Sequence, residues 1–526
     1  MNNPIYPKKY NITAVWTGVQ KAGVLICVCA ALISIAIMCR RVVEHVAAAR
    51  VGCRHCNVVI LDLDVLRADE LDCNGKGKEI APNLCRLASA GVQFSQAYSQ
   101  SFWTLPSALS TYTSLYPNIN QVWKQQEGAL SPTTVTLAQF LGQQGYDTYY
   151  IGDDNDALLT KRNGGLRGYV HTDLSSPAEN IWIDEYKQAV AINKPVFFHA
   201  YTEELHLPYL LVPPERPIRN LPKPDGFPIY TDEFMRVREA YLSAHVGQIF
   251  VPAAIAEHPE IFQADPSIRG KKIADYLQEL IDNHDYTQRL LSWETVYDPY
   301  MQFIHADNPQ EVAYLRMLYE TKLHILDTRL SGFVDYLLKP DVANHTVIIV
   351  TAAHGEAFGE HGLFSHMDAP YNEVYHVPFV ITYPGSRGGH VDTVVENLDL
   401  YPTIAAMVVG AAPKYIQGMS LIPLLSGVSY RAKSYAVSMN YEDTFVIQNR
   451  RYALIVYRDP QKKPELYDLR SDPEELHNIA NSHRQIVKQY RDVLIRAAVP
   501  ELLLPSPFMQ IPYGNTQQQL IRSGYF

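Results

Sequence analysis

Short apolar runs alternate with amphipathic stretches from residue 57 onward. Asn57–Leu63 (NVVILDL) is rich in β-branched residues and nearly continuous, the pattern of a strand buried on both faces. Tyr146–Ile151, Pro195–Tyr201 (PVFFHAY), Val342–Thr351 (with its NHTVIIVT run) and Pro378–Tyr383 (PFVITY) repeat that pattern. Pro82–Ala90 and Thr136–Gln144 read as helices, the second stopping at Gly145, a residue that commonly closes a helix. Strands separated by helices predict an α/β fold, a mostly parallel central sheet flanked by helices. Ligands of such sheets sit beyond the carboxyl ends of the strands, so the residues just after each strand are the place to look for chemistry. Leu210–Arg316 breaks the alternation, Pro-rich at first and then helical, and predicts an insertion over the site.

The segment before residue 57 has a different pattern. Ala22–Cys39 (AGVLICVCAALISIAIMC) carries no charge and is flanked by Lys21 and Arg40-Arg41. At about 1.5 Å per residue it spans roughly 27 Å, enough for a hydrocarbon core. It predicts a single-pass membrane anchor; a cleaved signal peptide, with Ala47-Ala48-Ala49 as a cleavage region, and a buried soluble helix are the alternatives. Lysines on one side and arginines on the other leave its orientation open.

Composition narrows the classes. Of 526 residues, 47% are hydrophobic and 19% charged, so the chain can bury a large core. The net charge of -10 argues against a nucleic-acid partner, which asks for a basic excess. Cys53-Arg54-His55-Cys56 has the spacing of half a zinc site, but no second such pair follows. A local disulfide or free thiols are the simpler readings, and a chain of this size requires no disulfide framework.

Polar residues collect at the strand ends. Asp62, Asp64, Arg67 and Asp69 follow the first strand. A carboxylate there suits a hard cation, while Asp69 reads better as a helix cap. Asp62 and Asp64 share one strand face. Glu203-Glu204-Leu205-His206 follows the third strand. His354, Glu356, His361 and His366 follow the fourth, a histidine grouping that favours metal or acid–base chemistry. Thr104 lies two residues before Pro106 at a predicted helix start. Its hydroxyl is either an ordinary cap or a group projecting where anions are stabilised.

In this order, several segments resemble the sulfatase family of the alkaline phosphatase superfamily, over about Asn57–Asn481. They are NVVILDLDVLRADELDCNG, APNLCRLASAGVQFSQAYSQSFWTLPSALSTYTSLYP, TLAQFLGQQGYDTYYIG, KPVFFHAYTEELHLPY, HTVIIVTAAHGEAFGEHGLFSH, VENLDLYPTIAAMVVGAAPKYIQGMSLIPLL and LYDLRSDPEELHNIA. The resemblance implies an alkaline phosphatase-like α/β domain over 57–385, with the 210–316 insertion, and a smaller C-terminal α+β subdomain over 386–526. A tail (1–21), the anchor (22–39) and a linker (40–56) precede them. It also implies a divalent cation, Ca²⁺ first, with Mg²⁺, Mn²⁺ and Zn²⁺ as alternatives. Asp64, Thr104 and His354 match metal-binding positions, Thr104 the nucleophile, and His206 and His366 the histidines that contact the ester or assist the leaving group.

The chain departs from the family at several of these positions. Thr104 replaces the Cys or Ser that matures to formylglycine, and Ala108 replaces the Arg of the maturation motif. Val65 takes the place of a second carboxylate. Ile119-Asn120-Gln121 stands for Arg-His-Gly, Asp153 for a Lys, and Ala353 for the Asp before the metal-associated His. Three functions follow: a membrane-anchored hydrolase of glycan or small-molecule sulfate esters, a phosphate-ester hydrolase or phospho-transferase on the same scaffold, and a non-catalytic binding protein. Relatives also imply an extracytoplasmic domain, where Asn344-His345-Thr346 is a glycosylation acceptor.

Overall fold

The computed structural model describes residues 51–497 except 124–127, 153–158, 175–179, 208, 210, 212–214, 225–226, 228–303, 367–368, 428–432 and 441–443. The expected anchor 22–39, Asp153 and most of the 210–316 insertion lie outside the described residues. Among the described residues no helix is long and apolar enough to cross a membrane.

The strands are β1 (Asn57–Leu63), β2 (Val92–Phe94), β3 (Ala97–Tyr98), β4 (Asp147–Gly152), β5 (His171–Asp173), β6 (Val196–Thr202), β7 (Thr346–Thr351), β8 (Ala357–Phe358), β9 (Phe364–Ser365), β10 (Phe379–Thr382), β11 (Gly389–Val391) and β12 (Val395–Glu396). Eight of them form the central sheet, ordered β11-β2-β10-β7-β1-β6-β4-β5. β1 lies parallel between β6 and β7, and β4 continues the parallel block to β5. The sheet is therefore the mostly parallel one expected. β10 runs against β7 and β2, the one strand reversed in this sheet. The expected start of the fourth strand at Val342 shifts, because Pro340–Ala343 forms a helical turn and pairing begins at Thr346.

Alternation of side chains across β1 builds two cores. Val59, Leu61 and Leu63 face one core, shared with helices α1 (Pro82–Ala90) and, further along, Pro309–Leu337. Val58 and Ile60 face the other, packed by α2 (Thr104–Thr113) and the helix Leu400–Val408. The long helix, α3 (Pro309–Leu337), begins inside the span expected to be an insertion. It is capped by Asn308, whose side chain accepts from Gln310 N, and packs on α1 and on Asn180–Val190. Thr136 and Gln139 form a reciprocal capping box on Leu137–Gln143.

β13 (Ala436–Asn440), β14 (Thr444–Gln448), β15 (Tyr452–Tyr457) and β16 (Glu465–Asp468) form a separate antiparallel sheet, with the helix Arg484–Ala497 against β14 and β15. Lys433 ties it to the main core through Glu396 (2.5 Å) and Asp399 (3.0 Å). Cys53 bonds to Cys56, one of the two readings the sequence left open, and Cys73 bonds to Cys85, a pairing the sequence did not announce.

Candidate active site

Register brings three strand ends together. Asp62 stands opposite Tyr201 on β6 and Thr351 on β7, so the segments after β1, β6 and β7 emerge side by side. Asp64, His206, His354 and His366 arrive on these segments, and α2 brings Thr104 from the neighbouring face. All five side chains are buried or nearly so.

Thr104 is the first residue of α2, whose N-cap is Trp103, and Trp103 makes no side-chain cap bond. The Thr104 hydroxyl is directed elsewhere: Oγ1 lies 3.2 Å from Asp64 Oδ2 and 2.9 Å from His354 Nε2. The capping alternative for Thr104 therefore gives way to a projecting hydroxyl. One hydroxyl proton faces two acceptors, which polarises the O–H bond whichever takes it.

His354 Nδ1 lies 2.8 Å from the Gly355 carbonyl, which assigns the Nδ1–H tautomer and leaves Nε2 as an acceptor toward Thr104. Burial is the main cause that holds the His354 imidazole below its usual range, against the pull of Asp64. Burial alone would lift the Asp64 carboxyl, but His354, His206 and the Tyr201 hydroxyl outweigh it and keep it low. The site thus carries an ionised Asp64 and a neutral His354 at neutral pH.

His206 Nε2 lies 3.4 Å from Asp64 Oδ2, and the His354 and His366 rings are 4.0 Å apart. Burial first, then His354 and His206, push His366 well below its usual range. Its Nδ1 faces Glu356 Oε1 at 3.3 Å, and Tyr209 donates to Glu356 Oε2 at 3.0 Å. Burial lifts the Glu356 carboxyl well above its ordinary value.

Tyr201 escaped the sequence reading, and Glu356, noted there after the fourth strand, was given no role. Tyr201 donates to Asp64 Oδ2 at 3.0 Å, and Glu356 orients His366. Tyr201 ends a strand already recognised, and Glu356 sits two residues after His354, so position was their only signal.

Other residues singled out from the sequence lie elsewhere. Asp62 accepts from Tyr112 (2.6 Å) and faces His199 at 3.5 Å, so it belongs to a buried polar cluster under α2. Asp69 is no cap: it pairs with Arg67 (2.8 Å) and Arg316 (2.7 Å). Glu204 pairs with Lys322 and Arg329. His361 stacks on Tyr371 at 3.5 Å, away from His354. Val65 is fully buried in the apolar core, with its backbone in the left-handed region (φ 54°). Asn120 turns inward to Ser110 and the Leu115 carbonyl.

The donor set fits a divalent cation. Asp64, His354 Nε2 and Thr104 Oγ1 converge on a buried point, a carboxylate, imidazole and hydroxyl set of the kind that divalent cations bind. Ala353 contributes only its carbonyl, which accepts from Ser107 Oγ at 2.5 Å.

Comparison with known proteins agrees with this architecture. A model of the family described as Sulfatase matches residues 56–411, and one described as N-sulphoglucosamine sulphohydrolase, C-terminal, matches 359–499. Arylsulfatase K of Xenopus laevis is 30% identical over 195 residues, 34% of this chain and 36% of that protein, so the alignment spans about a third of the relative. Delta 4,5-hexuronate-2-O-sulfatase of Bacteroides thetaiotaomicron is 23% identical over 466 residues, 83% of this chain and 88% of that protein. A solved complex with D-glucosamine-2-N,6-O-disulfate superposes with a TM-score of 0.58 at 18% identity, covering 89% of this chain and 98% of that one. The phosphonate monoester hydrolase of Agrobacterium radiobacter gives 0.57 at 19% identity, covering 84% and 95%. With a family match across most of the α/β region and the fold that such neighbours share, this chain belongs to the sulfatase family of ester hydrolases.

Proposed function

We propose that the chain hydrolyses sulfate esters of glycans or small molecules, with Thr104 as the nucleophile. The placement of Thr104 Oγ1 between Asp64 and His354 carries this reading. A divalent cation held by Asp64, Thr104 and His354 supplies Lewis-acid polarisation of the ester oxygens. One carboxylate beside an imidazole and a hydroxyl suits Mn²⁺ or Zn²⁺ better than Ca²⁺, which prefers six to eight oxygen donors. Asp64 and neutral His354 accept the Thr104 proton as Oγ1 attacks sulfur. The S–O bond to the alcohol breaks as His206 passes a proton to the leaving oxygen, while His366, held neutral by burial, contacts the ester. Water then releases sulfate from Thr104, since a threonine ester carries no second hydroxyl on its reacting carbon.

A second reading keeps the site and changes the substrate to a phosphate ester, for which a threonine hydroxyl is an equally competent attacking group. A third, non-catalytic reading rests on Ala353 and the lost basic residues at 108, 119, 120 and 153, and leaves the assembled Thr104 site without a purpose. A panel of aryl sulfates, phosphate monoesters and phosphodiesters decides among them. Sulfate release that chelation abolishes and Mn²⁺ or Zn²⁺ restores supports the proposal. Phosphate-only turnover selects the second reading, and no turnover with any ester selects the third.

The chain is proposed to be anchored through residues 22–39 with its catalytic domain extracytoplasmic. The Cys53–Cys56 and Cys73–Cys85 disulfides support an oxidising compartment. Protease digestion of intact cells checks this; a fully protected domain overturns it.

A further inference from the structure

A second donor cluster lies outside the Thr104 site. His361 comes from the turn between β8 and β9, Glu373 from the helical turn Asn372–Tyr375, and Glu475 from the segment after β16. One ligand atom from each lies within 4.8 Å of the other two. We propose that His361, Glu373 and Glu475 form a second divalent-metal site, of the Zn²⁺ or Mn²⁺ class, that fastens the β8–β9 hairpin to the C-terminal sheet.

Three observations support it. His361 Nε2 and Glu373 Oε1 are buried atoms with no hydrogen-bond partner, and both residues belong to the cluster. Buried polar atoms of this kind are costly unless a proton or cation completes them. The cluster is also held in place from behind. Glu475 accepts from Asn372 N at 2.8 Å and from the Tyr375 hydroxyl at 3.2 Å, while the His361 ring stacks flat on Tyr371, 6° from parallel. Such supporting contacts orient metal ligands. Finally, Glu373 borders a cavity of about 530 Å³, also lined by Gly359 and Glu474, which gives an ion a way in.

The donor types choose the ion. An imidazole nitrogen with two carboxylates matches Zn²⁺ or Mn²⁺, whereas Ca²⁺ asks for an all-oxygen shell. The consequence is mechanical. His361 is five residues from His366, on the same hairpin, so a cation here holds the strand pair that presents His366 to the ester.

The site is independent of Thr104 chemistry, and the test separates the two. The full chain is stripped with chelator and equilibrated with Zn²⁺, and bound zinc per chain is counted by mass spectrometry alongside the unfolding temperature. His361→Ala and Glu373→Gln are each expected to bind one zinc fewer than the parent, or to hold it at least about tenfold more weakly. Both are expected to lose most of the zinc-induced rise in unfolding temperature. Asp64→Asn removes only zinc bound at the Thr104 site and keeps the His361 equivalent. Glu373→Gln preserves side-chain length, so it carries the comparison even where His361→Ala does not fold. Equal zinc content in the parent and Glu373→Gln throughout a zinc titration, with an equal rise in unfolding temperature, overturns the proposal and leaves the two carboxyls neutralised by protons alone.

Discussion

Thr104 shows how one side chain can be freed for chemistry. A residue at the start of a helix usually spends its hydroxyl on the first-turn N–H groups. Here Thr104 is already helical, and Oγ1 faces Asp64 and His354. Thr104→Ala is expected to lower turnover by roughly 10³ or more. Its unfolding temperature should stay within a few degrees of the parent; unchanged turnover would reject the nucleophile. Ala353 poses the complementary case. It is buried beside His354 where a carboxylate would add a charged donor. Ala353→Asp is expected to tighten divalent binding about tenfold, or about 1.4 kcal/mol. Calorimetric titration of both proteins with Mn²⁺, Zn²⁺ and Ca²⁺ measures it. Equal binding would mean the present donors already complete the site.

At the scale of elements, the turn after β1 sets where Asp64 points. Val65 takes a left-handed backbone there, unfavourable for a β-branched residue by about 1–3 kcal/mol. Tyr319 of α3 holds that turn. Its hydroxyl donates to the Val65 carbonyl at 2.9 Å and accepts from Arg67 N at 3.1 Å. Tyr319→Phe removes both bonds in a fully buried place. A loss of about 1–3 kcal/mol in unfolding free energy is expected, with a fall in turnover as Asp64 loosens. Denaturant titration beside a turnover assay checks both, and unaltered values would show that the turn holds itself.

Across the whole molecule, Arg67 joins the first strand's turn to the segment that carries the histidines. It pairs with Asp69 and Glu360, and its Nη1 donates to the Glu356 carbonyl at 2.7 Å. Burial alone would raise the Asp69 carboxyl, but Arg67 and Arg316 outweigh it and hold it far below its ordinary value. A carboxyl depressed in the folded state stabilises at pH values above its unfolded pKa and loses that contribution as pH falls toward the folded value. The parent should therefore be more stable than Asp69→Asn at pH 7. The gap should shrink steadily below about pH 4. Urea midpoints across that range report it, and a gap undiminished at pH 2 would assign the effect to packing.

Much of this was legible in the sequence because it is local. Apolar runs of β-branched residues place β1, β6 and β7, and residues just after such strands belong to the site edge by geometry alone. Asp64, His206 and His354 lie on those segments, whereas Thr104 read from its helix alone as an ordinary cap, and the family resemblance singled it out. Tertiary structure decided which polar residues meet. His354 and His366 converge while His361 turns to Tyr371, although all three share one short segment, because the β8–β9 hairpin reverses the chain between them. Asp62 and Asp64 share a strand face, yet one enters a polar cluster under α2 and the other the site, since Asp64 lies past the end of pairing. The reversed direction of β10, the Cys73–Cys85 partnership and the roles of Tyr201 and Glu356 were equally invisible. Each depends on contacts between segments far apart in the chain, or on which way a turn sends it, and periodicity carries no record of either.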